Sequence, residues 1–381
     1  MSWSNYGKRT ALPGKSGDFS MMDKGFWKNK RVLITGHTGF KGSWLTLWLH
    51  SLGARLFGYG LMPEDDESLY NVCDVSKCIQ SYYGDIRDQV FLQKALEESD
   101  PEIIFHMAAQ SLVRTSYENP IETYEVNVLG TAYLLEVVRL MRTKNPVKPI
   151  AIVNVTSDKC YENMEWEWGY RENDSLGGYD PYSNSKACAE LVTSSYRSSY
   201  FPPEAYTFHK VGLASARAGN VIGGGDWALD RLIPDCIRSI RNGEPIILRK
   251  PTATRPWQHV LEPLSGYINL AQKLFLEGRA YASAWNFGPL EKDNSSVEDV
   301  VKLMLSIWGD SLPIQIDRRE QPHETRQLML DCSRANGLLK WKPRWDVTEA
   351  VIKTVEWYKN YTSQKNMLDI TLQQIRHYEV S

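Results

Sequence analysis

Between Arg31 and Gly53 a strand, a glycine turn and a helix follow one another without a gap, and few folds accommodate that succession. Arg31-Val32-Leu33-Ile34-Thr35 has the apolar, β-branched character of a buried strand. Gly36-His37-Thr38-Gly39-Phe40-Lys41-Gly42 comes next, and Ser43 to Leu52 carries helical patterning closed by Gly53. Gly36 permits the tight turn, Gly39 lets the backbone approach an anion, and Gly42 lets the helix pack close to the strand. The helix N-terminus offers N–H groups and a positive dipole end. With 26 glycines in the chain, the spacing alone would carry little. Flanked by strand and helix, it reads as a dinucleotide site.

The alternation continues downstream. Short apolar runs at 54–61, 79–84, 103–107, 151–155 and 213–218 read as strands, and 88–98, 123–142 and 181–199 read as helices. Repeated strand–helix alternation implies a parallel sheet covered on both faces. After residue 220 the rhythm loosens into Gly-, Pro- and Trp-rich segments, with helices near 230–241, 262–276 and 297–308. The expected fold is therefore α/β, a Rossmann-type doubly wound parallel sheet with a smaller C-terminal α/β substrate lobe. We expect a dinucleotide-binding domain over 26–220, with 257–288 returning to it, and the lobe over 221–256 and 289–381. Residues 1–25 are polar and glycine-rich and read as a flexible leader, with Met21 or Met22 as an alternative start.

Bulk properties narrow the function classes. Lys+Arg is 44 and Asp+Glu 46, a net charge of 44 − 46 = −2, which argues against a nucleic-acid partner held by a basic field. Six scattered cysteines contain no Cys-x-x-Cys pair, and no signal peptide is visible, so reduced thiols in a cytoplasmic protein are expected. Apolar stretches such as Ala151–Val155 are too short to span a bilayer. No His/Cys/Asp spacing points to a metal.

Tyr-x-x-x-Lys occurs three times, at Tyr182/Lys186, Tyr206/Lys210 and Tyr361/Lys365, so context must choose among them. Asp180-Pro181 before Tyr182 gives an N-cap and a proline at the first helical position. Tyr182 and Lys186 then share one helix face. Tyr206 follows Phe201-Pro202-Pro203, and Tyr361 lies in the polar C-terminal region. Val155-Thr156-Ser157-Asp158-Lys159 ends the fifth strand, where ligands of open α/β sheets bind. A hydroxyl, an acid and an amine at one strand end suit proton chemistry. An ordinary tyrosine ionises near pH 10, too high for a base at neutrality, and the Lys186 ammonium would favour tyrosinate.

Taken together, the glycine motif, Ser157 and Tyr182-x-x-x-Lys186 resemble the extended short-chain dehydrogenase/reductases that act on nucleotide sugars. Longer blocks at 35–44, 156–161, 177–186, 217–227 and 255–260 are similar to the branch that dehydrates CDP-glucose, and the resemblance runs from about Phe26 to about Trp357. What it implies is an internal redox cycle on NAD. Tyr182 takes the proton of the sugar 4-hydroxyl, Asp158 protonates the departing 6-hydroxyl, Lys159 is the C5 base, and Ser157 directs the oxygen. Related dTDP-glucose enzymes carry Asp-Glu where this chain has Asp158-Lys159, and an amine can act there only if its surroundings lower its pKa. The expected product feeds 3,6-dideoxyhexose synthesis for surface polysaccharide.

The resemblance also assigns ligands. Gly36, His37, Thr38, Gly39, Phe40, Lys41 and Gly42 would hold the dinucleotide, with Asp85 and Ile86 at the adenine and Ala108, Ala109 and Gln110 at the nicotinamide ribose, together with Tyr182 and Lys186. Asn220, Asp226, Trp227, Arg231, Arg255, His259 and His323 would surround the substrate nucleotide and diphosphate. Arg255, in Arg255-Pro256-Trp257, reads as a rigid exposed turn. The second strand ends without a carboxylate until Glu64-Asp65-Asp66-Glu67, which reads as a solvated loop, so NAD rests on the resemblance. The helices at 123–142 and 181–199 carry apolar positions fit for a homodimer or homotetramer contact. A nucleotide-sugar 4-epimerase or reductase would use the same tyrosine and lysine but no acid–amine pair. A catalytically silent NAD-binding regulator would need none of these groups.

Overall fold

The computed structural model describes residues 23–63, 65–144, 148–290, 293–319 and 325–381, so the leader lies almost wholly outside the described residues, as does His323. Seven parallel strands form the central sheet: β1 Arg31–Thr35, β2 Arg55–Gly60, β3 Gln80–Tyr83, β4 Ile103–His106, β5 Ile150–Val155, β6 Val211–Ala218 and, later in the chain, β7 Ala284–Phe287. Their order is β7-β6-β5-β4-β1-β2-β3, and every neighbouring pair is parallel. The order reverses between β1 and β4, where the carboxyl ends splay and leave a crevice. Strands β4, β5, β6 and β7 are buried at every position, as a sheet covered on both faces requires.

The helices that matter for the site are α1 Phe40–Ser51, α2 Gln89–Ser99, α3 Gly130–Lys144 and α4 Pro181–Ser199. Gly39 N-caps α1, and the Asp180 side chain caps α4 through the Ser183 N–H. Helix α1 buries Trp44, Leu45, Leu47, Trp48 and Leu49 against β1 and the C-terminal helices.

The helix expected over 123–142 is present, starting at Pro120 and carrying one π-turn. Short helices Val113–Glu118 and Pro120–Tyr124 lead into a π-turn at Glu125–Leu129 before α3 begins. Pro120 opens a new helix because its ring belongs at a first turn. The π-turn turns Asn127 inward, where its amide meets Gln110 and the Ser185 hydroxyl.

Beyond β6 come α5 Leu232–Asn242, α6 Leu261–Tyr281, α7 Val297–Trp308, α8 Val347–Thr362 and α9 Met367–Val380. Helix α6 packs on β5 and β6, and β7 extends the sheet beside β6. Helix α9 lies against α1, with Tyr378 meeting Trp48 edge to face. No helix among the described residues is long and apolar enough to cross a membrane.

Candidate active site

A cleft of about 1340 Å³ opens over the carboxyl ends of β1, β4, β5 and β6 and runs out to the segment after α5. Its floor begins at the glycine loop. Gly36 has φ +72, and a Cβ there would stand 2.8 Å from the Ala108 nitrogen on β4's exit; one on Gly42 would strike the Gly36 carbonyl. Only glycine admits both the turn and this approach. Gly36, Thr38, Gly39, Phe40, Lys41, Gly42, Asp85, Ile86, Ala108, Ala109 and Gln110 all line the cleft. Arg87 holds the Asp85 carboxylate by two nitrogens, at 2.6 and 3.0 Å, and keeps it below the usual range.

His37 departs from the rest of its motif. Its ring is fully buried and does not line the cleft; it lies over Gly58, with Nε2 2.9 Å from Ser81 Oγ. Burial lowers its pKa to about 4, so it is neutral and fills the space above β2 that a glycine leaves. Of the acidic run at 64–67, Glu64 lies outside the described residues, and Asp65, Asp66 and Glu67 do not line the cleft.

Ser157, Asp158, Lys159, Tyr182 and Lys186 converge on one side of the cleft. Strand β5 delivers the first three and the start of α4 the other two. Ser157 Oγ donates to Asp158 Oδ1 at 2.9 Å, while Asp158 Oδ2 is buried with no hydrogen-bond partner among the described residues. Burial raises the Asp158 pKa against the opposing charges of Lys159, Lys41 and Arg255. Burial that favours the protonated form suits a carboxyl that must deliver a proton to a leaving group. Tyr182 is 9% exposed, and burial pushes its phenol up to about 12, opposed by the neighbouring Ser157 hydroxyl. Burial, and after it the positive charge of Lys41, lowers Lys186 to about 8, while Glu190 opposes. Lys159 Nζ stands 5.9 Å from the centroid of the Tyr182 ring. Neither Tyr206/Lys210 nor Tyr361/Lys365 reaches the cleft.

The substrate side divides. Asn220, Asp226, Arg231 and Arg255 line the cleft. Arg231 Nη1 bonds Asp226 Oδ2 at 2.9 Å, and its Nη2 reaches Ser111 Oγ at 2.9 Å. Arg255 is not the exposed group its turn implied: it is buried, and Nη1 donates to the Thr254 and Arg326 carbonyls. Trp227 does not line the cleft; Tyr358 and Tyr361 pack against its ring and Arg241 covers its face. His259 is fully buried between Trp44 and Trp345, and burial lowers it to about 3, which makes it a neutral core group.

Two groups went unread in the sequence. Lys41 stood there only for its place in the glycine loop, yet its side chain lies within electrostatic reach of Asp158, Asp226, Arg231 and Lys186, and burial brings it to about 8. The outer cleft gathers Arg238, Arg249, Lys250 and Arg319 beside Asp317 and Asp235. The runs Leu248-Arg249-Lys250-Pro251 and Arg318-Arg319 were the local signals for that basic end.

The profile of the family described as GDP-mannose 4,6 dehydratase matches residues 33–354. A CDP-glucose 4,6-dehydratase of Salmonella typhimurium is 54% identical over 358 residues, covering 94% of this chain and 98% of that protein. The chain belongs to this family of nucleotide-sugar 4,6-dehydratases. Among solved structures, a dTDP-glucose 4,6-dehydratase of Streptomyces venezuelae with NAD bound superposes with a TM-score of 0.74 at 21% identity, over 88% of this chain and 99% of that one. A UDP-glucose 4-epimerase of Thermotoga maritima with UDP-glucose gives 0.73 at 19% identity, over 87% and 99%. These likenesses establish the Rossmann-type fold that dehydratases and epimerases of this kind share; the catalytic groups must separate the chemistries.

Proposed function

We propose that this protein converts CDP-D-glucose to CDP-4-dehydro-6-deoxy-D-glucose and water, with NAD as a resident cofactor. The near-full-length likeness to the Salmonella dehydratase supports the substrate. The observation that carries the chemistry is Asp158: a buried carboxyl, raised by its surroundings, with one oxygen unpartnered beside Lys159 and Tyr182. An epimerase has no hydroxyl to expel and no use for such an acid.

The glycine loop fits a dinucleotide, since side chains at Gly36 and Gly42 would fill the cradle and the α1 N-terminus faces it. When bound, NAD would reversibly store the hydride taken from sugar C4 and returned to C6. The chain's own residues do the rest. Tyr182 accepts the proton of the 4-hydroxyl, and Lys186 favours the tyrosinate needed for that. The resulting C4 ketone acidifies C5, from which Lys159 withdraws a proton that it gives back to C5 once water has left and C6 is reduced. Asp158 protonates the C6 oxygen as it leaves as water. Asn220, Asp226, Arg231 and Arg255 line the cleft, and the two arginines are the groups that would hold the nucleotide diphosphate.

The reading also includes a cytoplasmic homodimer or homotetramer, and a product destined for 3,6-dideoxyhexose and surface-polysaccharide (O-antigen) synthesis. The test is incubation with CDP-, dTDP- and UDP-glucose, following 4-keto-sugar absorbance without net NADH. Deuterium at C4 should reappear at C6 of the same product molecule. A product with deuterium lost, or inverted at C4 without dehydration, would overturn the reading.

A further inference from the structure

Glu190 lies one helical turn beyond Lys186 on α4, is 2% exposed, and does not line the cleft. Its carboxylate gathers three side chains from other elements. Thr156 Oγ1 donates to Oε1 at 2.5 Å, and Ser215 Oγ and Arg217 Nη2 each donate to Oε2 at 2.7 Å. Arg217 reaches onward from β6: Nη1 donates to the Tyr161 hydroxyl at 2.8 Å, and that hydroxyl donates to Asn286 Oδ1 on β7 at 2.7 Å. The network therefore joins α4, the end of β5, β6, β7 and the turn after β5 behind the cleft.

The connection to Thr156 is the significant one. Thr156 immediately precedes Ser157 and Asp158, whereas Glu190 shares its helix with Tyr182 and Lys186. One hydrogen bond thus spans the two halves of the reacting set. Burial opposes charge on Glu190, yet Arg217 and the two hydroxyls hold it below the usual carboxylate range, so it is an anion. A buried ion pair of this kind contributes little net stability but defines geometry.

We propose that Glu190 is a positioning residue for the reaction, fixing through Thr156 and Arg217 the strand end that carries Ser157 and Asp158 against the helix that carries Tyr182 and Lys186. It also places a negative charge within electrostatic reach of Lys186 from outside the cleft. The other groups acting on that ammonium are Lys41 from α1, His106 from β4 and Cys160 after β5, and Nζ donates to the Val155 carbonyl at 3.5 Å. His106 is neutral at physiological pH, Cys160 is held well above its ordinary thiol range, and Lys41 repels. Glu190 is therefore the anion that opposes the lowering of Lys186.

This inference rests on the proposed roles of Tyr182 and Asp158, and its test separates the two. Thr156→Val, which leaves the ion pair intact, is expected to lower kcat on the order of 100-fold, as misplacement of reacting groups does. KM for CDP-glucose and the affinity for NAD, read by fluorescence titration, should stay within about 3-fold, and Thr156→Ser should restore kcat. Glu190→Gln is expected to move the alkaline limb of the kcat profile to lower pH; if that variant does not fold, the Thr156 pair decides. Full kcat in Thr156→Val, or equal loss of NAD affinity and kcat, overturns the positioning role. Tyr182→Phe run in parallel tests the underlying reading: its retained turnover would sink that reading whatever Thr156 shows.

Discussion

Lys159 Nζ stands 5.9 Å from the centre of the Tyr182 ring, so the amine of the strand end meets the tyrosine of the helix on one side of the cleft. The two pairs read separately in the sequence, Asp158-Lys159 and Tyr182-Lys186, therefore share a single reaction volume. A sugar ring held there would present O4 to one pair and C5 and C6 to the other.

Tyr182→Phe keeps the ring beside Lys159 and removes only the hydroxyl. Turnover should fall by at least about 100-fold, the lower range for losing a positioned base, while NAD stays bound. Stopped-assay product yield together with the absorbance of retained cofactor checks both halves. Turnover at the parental rate would remove Tyr182 as the base.

Asp158→Asn preserves shape but cannot donate the proton. Oxidation at C4 should persist while loss of water slows on the order of 100-fold or more. Reduced cofactor should then accumulate transiently at 340 nm. Equal slowing of both steps would mean that Asp158 only shapes the pocket.

Lys186, lowered to about 8, must carry its proton to favour the tyrosinate. Activity contributed by this group is present below that value and falls as pH rises through it. Lys41→Met removes a positive neighbour, so the Lys186 pKa should rise and the alkaline limb should move to higher pH. A limb that does not move, measured as kcat from pH 6 to about 10, would separate the two lysines.

A Cβ on Gly224 would run into the indole of Trp357, which is fully buried. Overpacking there should make Gly224→Ala less stable by roughly 1–3 kcal/mol, read from the urea midpoint at unchanged slope. A variant as stable as the parent would show that the indole can shift.

The strands and the glycine turn were legible because buried parallel strands are short apolar runs, and the turn depends on glycines close together in the chain. The convergence of the proposed catalytic residues on one cleft was legible for the same reason, since Ser157, Asp158 and Lys159 are consecutive and Tyr182 and Lys186 share a helical turn. What failed depended on distant partners. His259 is a core group because Trp44 and Trp345 close over it, and Trp227 is held by Tyr358 and Tyr361. Arg255 is buried by the segment around Arg326. No local window contains those neighbours. Glu190 was unreadable because a glutamate on a helix ordinarily faces water.

Strand β7 joins the sheet beside β6 only after the chain has travelled through residues 219–283. A fragment ending near residue 220 would therefore present β6, buried along all eight residues in the intact protein, as a bare apolar margin. Such a margin invites pairing with another molecule, so half of this enzyme should aggregate instead of behaving as a portable cofactor-binding module.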